Sequence, residues 1–228
     1  MKPDYQRGPV TLFNADCRDV LPTLDIADLS LTDPPYGIGA DRGQASRAGF
    51  QHVNALAPSK DYGFTDWDRR PSREAFDAIR AASREQVIFG GNYFADLLPP
   101  SPSWLVWDKD NGTNKYADFE LAWTSHKTAA RKIRWRWHGM LQEPGLPKDT
   151  RVHPTQKPVG LMVWIIERFT KLNDLVLDPY IGSGTTAVAC IETDRRCIGI
   201  EAHRPYFDLC VRRIDAALDQ GRLPFPAN

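Results

Sequence analysis

Short apolar runs recur along the chain, each closed by polar or turn-forming residues. Val10-Thr11-Leu12-Phe13, Leu29-Ser30-Leu31-Thr32, Val87-Ile88-Phe89, Trp104-Leu105-Val106-Trp107, Leu175-Val176-Leu177 and Cys197-Ile198-Gly199-Ile200 have the length and composition of buried strands. Glu120 to Thr124 and Lys132 to Trp137 predict two more. Between these runs the period changes. Ser72 caps a helix over 72–84 that carries Ala75, Phe76, Ile79 and Ala82 on one face. Further helices are predicted from near Asp16, over Val159–Leu172 behind Pro158, over Gly184–Thr193 and over Arg204–Leu218. Strands alternating with helices predict an α/β fold, a doubly wound and mainly parallel sheet covered on both faces. Residues 37–70 show no period, and an unstructured stretch of that length predicts a functional or mobile loop. Residues 139–157 read as an irregular connection.

Composition narrows the class. The 228 residues, 42% hydrophobic and 25% charged, suit one globular domain with an insertion. No run of apolar residues is long enough for a membrane helix, and Met1 to Gln6 lacks the apolar core of a secretory signal. The 29 basic and 29 acidic residues cancel, so nucleic-acid binding would need a local patch rather than a global field. Cys17, Cys190, Cys197 and Cys210 form no C-x-x-C pair, which predicts reduced, buried thiols, no metal site and a cytoplasmic protein.

Acids stand at strand ends: Asp33, Asp178 and Glu201, with Asp16 just beyond a fourth. In doubly wound sheets ligands bind at that edge. Gly182, Gly184 and Ala187 satisfy G-x-G-x-x-A between a strand and a helix, and Glu201 ends the following strand, an arrangement suited to a ribose-bearing ligand. Asp178 ahead of the glycines favours S-adenosylmethionine, a cation without phosphate, over a dinucleotide. Thr185 and Thr186 can cap the helix and bind the ligand's carboxylate. The bland alternative is a plain strand-to-helix turn with a surface Glu201. Asp33-Pro34-Pro35-Tyr36 ends the second strand, where the prolines expose unpaired carbonyls. A carboxylate and the Pro34 carbonyl make two acceptors, matching the two N–H donors of an exocyclic amine. Binding both hydrogens turns the nitrogen lone pair outward. Tyr36 offers a face for an extruded base, or serves simply as the packed tyrosine of a strand-ending turn.

With both motifs in view, the chain resembles the amino-group DNA methyltransferases of the N4-cytosine/N6-adenine family, in the permuted order called the beta class. Asp33-Pro34-Pro35-Tyr36 precedes the cofactor turn, His153-Pro154-Thr155-Gln156-Lys157-Pro158 matches the family's H-P-T-x-K-P, Leu12 to Cys17 is similar to its opening strand, and Cys197 to Glu201 to its G-x-E strand. Tyr180 replaces the usual Phe, and Ala15 the usual Gly. The resemblance implies a Rossmann-like methyltransferase fold over 1–228 and direct methyl transfer from S-adenosyl-L-methionine to a flipped-out base. Asp33, Pro34, Pro35 and Tyr36 would orient and activate the amine. Asp178, Pro179, Gly182, Gly184, Thr185 and Thr186 would line the methionine end of the cofactor, with Asp33 at its edge. Glu201 would hold the ribose, and Asp16 and Cys17 the adenine side. His153, Thr155 and Lys157 would close the pocket, with Lys157 near the cofactor carboxylate.

Residues 126–138 hold five Lys/Arg and no acid. Lys127, Arg131, Lys132, Arg134 and Arg136, together with Arg42 and Arg47 in the loop, are the candidate DNA contacts. Alternation through Arg134-Trp135-Arg136-Trp137 predicts a strand with arginines on one face, either phosphate-facing or an edge protected against aggregation. Residues 108–157 leave room for a small target-recognition insertion. The resemblance implies adenine N6 before cytosine N4, since Asp in the first motif position is the commoner form among the family's adenine enzymes. The expected partner is double-stranded DNA, with a homodimer and a separate restriction endonuclease as open possibilities. A NAD-binding oxidoreductase would leave Asp33 to Tyr36 and His153 to Pro158 unexplained, and a silent DNA-binding module would leave the motif set unused.

Overall fold

A computed structural model describes residues 1–39, 68–112, 117–138, 141–145 and 156–220. Its principal sheet is built from β1 (Tyr5–Arg7), β2 (Val10–Phe13), β3 (Ala27–Thr32), β4 (Ser83–Phe89), β5 (Trp104–Asp108), β6 (Phe119–Thr124), β7 (Arg131–Arg134), β10 (Leu175–Asp178) and β11 (Arg196–Ile200). They lie in the order β1-β2-β11-β10-β3-β4-β6-β5-β7. The centre, β2 to β4 in that order, is parallel. β1 runs antiparallel to β2, and β6 antiparallel to both β4 and β5. The expectation of a mainly parallel sheet therefore holds at the centre; β1 and β6 are the antiparallel strands, and the edge strand β7 again pairs parallel with β5.

Continuous apolar strands bury both faces because successive side chains alternate. Leu12, Val87, Phe89 and Val176 pack in one cluster with α3 (Val159–Phe169), α4 (Thr185–Glu192) and α5 (Arg204–Gln220). Their neighbours Phe13, Ile88 and Leu177 pack in a second cluster with α1 (Cys17–Val20) and α2 (Arg73–Ala81). Ser72 caps α2 through its hydroxyl, as expected.

Several boundaries differ from the sequence reading. The helix predicted over 72–84 stops at Ala81 because Ser83 pairs with Ala27 at the start of β4. The helix predicted to reach Leu172 ends at Phe169, where Thr170 turns extended and bonds back to Ile166. β1 was not anticipated; its Tyr5 and Arg7 are tied to Asp215 of α5. The strand predicted over 132–137 stops at Arg134, and Trp137–His138 (β8) pairs with Leu141–Gln142 (β9) as a separate ribbon. Most of the predicted 37–70 loop and much of 139–157 lie outside the described residues.

From β3 the chain crosses through α2 to β4 on one side, and from β10 through α4 to β11 on the other. β3 and β10 are neighbours, with Val176 beside Leu29 and Leu177 beside Ser30. Their carboxyl ends thus meet at a topological switch point, the ligand crevice of such sheets.

Candidate active site

Asp178 closes β10 at that crevice and is buried. Its Oδ1 accepts from the Thr32 hydroxyl at 2.7 Å and the Tyr180 N–H at 3.1 Å, and its Oδ2 from the Thr186 hydroxyl at 2.6 Å. Burial pushes the carboxyl up to about 6 against the pull of these donors. Glu201, just past β11, accepts from the Gly182 N–H at 3.0 Å and the His203 N–H at 2.7 Å. Burial lifts it to about 7. The Asn14 side-chain amide donates to the Glu201 and Ala202 carbonyls, tying the ends of β2 and β11 together.

The turn between the two acids depends on its glycines. Gly182 and Gly184 have φ of 51° and 86°, and a Cβ at Gly184 would stand 2.7 Å from the Cys210 sulfur. Arg213 of α5 braces the turn, donating to the Ser183 carbonyl and hydroxyl and to the Thr185 hydroxyl at 2.8, 2.9 and 3.2 Å. The hydroxyls of Thr185 and Thr186, expected to face a ligand carboxylate, are thus engaged by Arg213 and Asp178. Pro179 is buried in the same turn. Asp16 caps α1 and takes three donors from Arg18, which hold its carboxyl below the usual range. Cys17 is buried, which pushes its thiol up.

Asp33 follows β3. Its Oδ1 accepts from the Tyr36 hydroxyl at 2.6 Å, and its Oδ2 pairs with the Lys157 ammonium. Lys157 also stands 3.2 Å from Glu120 Oε2, while Lys109 pairs with Glu120 Oε1 at 2.6 Å. Burial alone would lower Lys157 and raise Glu120, but the opposite charges around each prevail, so Lys157 moves up and Glu120 down. Burial pushes Asp33 up against the pull of Lys157. Tyr36 stacks on Tyr93, with centroids 4.8 Å apart and planes at 21°, and meets the edge of Phe94. Gly90, at φ 68°, leaves room for the ring, since a Cβ there would lie 2.2 Å from it. Beyond the tetrapeptide, the Gly37 and Ile38 N–H groups both donate to the Asp68 carboxylate.

Lys157, expected beside the cofactor, is therefore found on Asp33. His153, Thr155, Arg42 and Arg47 lie outside the described residues. Sequence reasoning missed Thr32, Lys109, Glu120 and Arg213. A glutamate inside the apolar run Phe119 to Trp123 was a readable signal; the others needed the tertiary pairing.

The basic segment is not the acid-free strip its sequence suggested. Lys132 pairs with Asp108, Arg134 with Asp110 and Glu143, and Arg136 with Asp110. Trp135 presses its ring on Gly160, where a Cβ would come within 2.0 Å. Trp137 donates to the Gln156 carbonyl at 3.1 Å. Arg131 is exposed, its guanidinium donating to the Ala130 carbonyl. Lys127 is exposed as well.

A family described as DNA methylase matches residues 106–212. A putative methylase of Escherichia coli K12, YubD, is 30% identical over 222 residues, covering 92% of this chain and 93% of that one. The type II methyltransferase M2.MboI of Moraxella bovis is 37% identical over 124 residues, so the match spans 54% of this chain and 44% of the relative. Among solved structures, the M1.HpyAVI–SAM complex aligns with a TM-score of 0.56 at 24% identity, over 90% of this chain and 99% of that one. The cytosine-N4-specific PvuII DNA methyltransferase aligns with a TM-score of 0.60 at 16% identity, over 96% and 93%. The solved structures share the architecture, and the end-to-end likeness to the Escherichia coli relative fixes the kinship: the chain belongs to the N6/N4 DNA methylase family.

Proposed function

We propose that this protein transfers a methyl group from S-adenosylmethionine to N6 of an adenine turned out of double-stranded DNA. The carrying observation is the meeting, at one switch point, of the Asp33 turn on β3 and the glycine turn on β10. When bound, the cofactor supplies an electrophilic methyl on a sulfonium.

The residues of the glycine turn suit that ligand better than a dinucleotide. The Gly182 and Gly184 N–H groups are spent on Glu201 and the Ile181 carbonyl, so the turn is no cradle for pyrophosphate. Two carboxylates beside it suit a cationic ligand with a ribose diol. Asp178 carries three donors and an ionised carboxylate offers about four acceptor positions, so one remains for an ammonium.

At Asp33 each carboxylate oxygen already takes one donor and has room for another. Asp33 and the Pro34 carbonyl accept the two amino hydrogens, and Tyr36 fixes the carboxylate's orientation. A cofactor held beside Asp178 and Glu201 would supply the methyl to the nitrogen, and Asp33 would accept the proton that the amine gives up. No covalent enzyme intermediate is required; the residues act by positioning and by preset charge. An amine inside a duplex cannot reach a carboxylate set in this crevice, hence the extruded base. Adenine is preferred because Asp, rather than Ser, opens the tetrapeptide, the form more often carried by adenine enzymes of the family.

Transfer of tritiated methyl to unmethylated DNA tests the reading. The wild-type chain labels DNA. Asp33→Ala loses labelling and keeps cofactor binding by calorimetry. Labelling by Asp33→Ala at the wild-type rate would overturn the assignment.

A further inference from the structure

Behind Asp33 lies a row of alternating charge that the two sequence motifs do not explain. Lys109, Glu120, Lys157 and Asp33 follow one another, with contacts of 2.6 Å and 3.2 Å at Glu120 and a direct ion pair at Asp33. The side chains of Lys157 and Asp33 are 7% and 16% exposed. Burying ions in this way is costly, and apolar residues of like volume commonly serve stability as well or better. Such a row therefore calls for a use other than stability.

Glu120 is the hinge of the row. It sits on β6, opposite Trp107 of β5, and one oxygen holds Lys109. Its other oxygen, Oε2, is buried and has no well-directed hydrogen bond, although the Lys157 ammonium is 3.2 Å away. Lys157 is walled in on every described side. It faces Asp33 and Tyr36 from the turn after β3, Glu120 from β6, and the Phe89 ring from β4 at 5.0 Å. Lys109 stands behind Glu120, and Tyr93 behind Tyr36.

We propose that Glu120 is a positioning residue for methyl transfer: it holds the Lys157 ammonium against Asp33, so that Asp33 stays ionised and aimed at the target amine. The inference rests on the proposed reaction at Asp33. Glu120 touches neither substrate nor cofactor and acts only through Lys157. Two carboxylates keep a buried ammonium charged; one carboxylate does so less well, because desolvation disfavours the charged form. Deprotonated, Lys157 no longer fixes the Asp33 oxygen, and turnover falls.

The test is the pH profile of kcat for the full chain on duplex DNA. In Glu120→Gln, kcat falls while KM for DNA and for cofactor stays within about twofold, the pattern of an interaction used only in the transition state. The alkaline limb of kcat moves to lower pH by about one unit or more, a tenfold change in the ammonium's proton affinity for each unit. Glu120→Asp keeps the charge at shorter reach and gives a limb between the two. An unmoved limb in Glu120→Gln, with or without a loss of kcat, overturns the proposal, since a merely structural role lowers the active fraction without shifting the limb. If Glu120→Gln does not fold, an unmoved limb in Glu120→Asp overturns it instead. Methylation by the wild-type chain with an unmoved variant limb removes only the role of Glu120; absence of any methylation by the wild-type chain removes both readings.

Discussion

Lys157→Met exchanges a buried ammonium for an apolar chain of similar length. The side chain is 7% exposed and stands between Asp33 and Glu120. Its removal leaves Glu120 with Lys109 and takes from Asp33 the cation it pairs with. Deleting one partner of a buried ion pair costs roughly 3–5 kcal/mol, because the remaining charge is uncompensated. At about 2–4 °C per kcal/mol for a protein of this size, the variant melts about 6–20 °C lower at pH 7. The loss has a pH signature. Burial already pushes Asp33 up, and Lys157 is one of the two cations that hold Glu120 down. Without the ammonium Asp33 rises further above its unfolded value of about 4, and Glu120, left with Lys109 alone, loses part of what holds it down. A carboxyl raised on folding contributes its stability below the unfolded value and loses it as pH rises through the folded one. The melting deficit is therefore small near pH 4 and grows toward pH 7. Thermal melts of both proteins across that range read it directly. A deficit of equal size at both ends would mean that Lys157 matters for packing rather than charge, and would refute the reasoning.

Three further outcomes follow from the same geometry. Burial raises Asp178 to about 6 and Glu201 to about 7, so calorimetric affinity for S-adenosylmethionine strengthens as pH rises from about 5.5 to 7.5; Glu201→Gln removes the upper part of that rise, and a flat profile in the wild type would contradict the ligand assignment. Gly184→Ala forces a left-handed residue against Cys210 and costs about 1–2 kcal/mol from φ alone, with cofactor affinity falling further than the melting point suggests; unchanged affinity would dissociate the turn from the ligand. Arg131→Ala lowers the slope of log affinity against log salt for DNA by about 0.9, one phosphate contact, whereas Arg134→Ala lowers it less because Asp110 and Glu143 already hold that side chain; slopes unchanged in both would move the DNA interface elsewhere.

The central strands were legible because they are buried on both faces. Leu12 and Phe13, or Val176 and Leu177, send side chains to opposite clusters, so the whole run reads as apolar. β1 was illegible for the opposite reason: Tyr5-Gln6-Arg7 buries little and is held by α5 through Asp215. The places of Asp33, Asp178 and Glu201 at strand ends were legible locally, because a proline follows each of the first two and Glu201 directly follows the apolar run Cys197 to Ile200. Their partners were not. Thr32 meets Asp178 across 146 residues, and Lys157 meets Asp33 across 124. The basic run from Lys127 to Arg136 misled because its neutralising acids, Asp108, Asp110 and Glu143, are near in space but lie outside the run.

Nucleoside mass spectrometry tests the central claim most directly. Unmethylated DNA is incubated with the protein and S-adenosylmethionine, digested, and searched for methylated bases, with Asp33→Ala as the control. The account predicts N6-methyladenine in the wild-type digest and none in the control. N4-methylcytosine in its place would contradict the choice of adenine, and the absence of both bases while cofactor binding is intact would contradict the methyl-transfer reading itself.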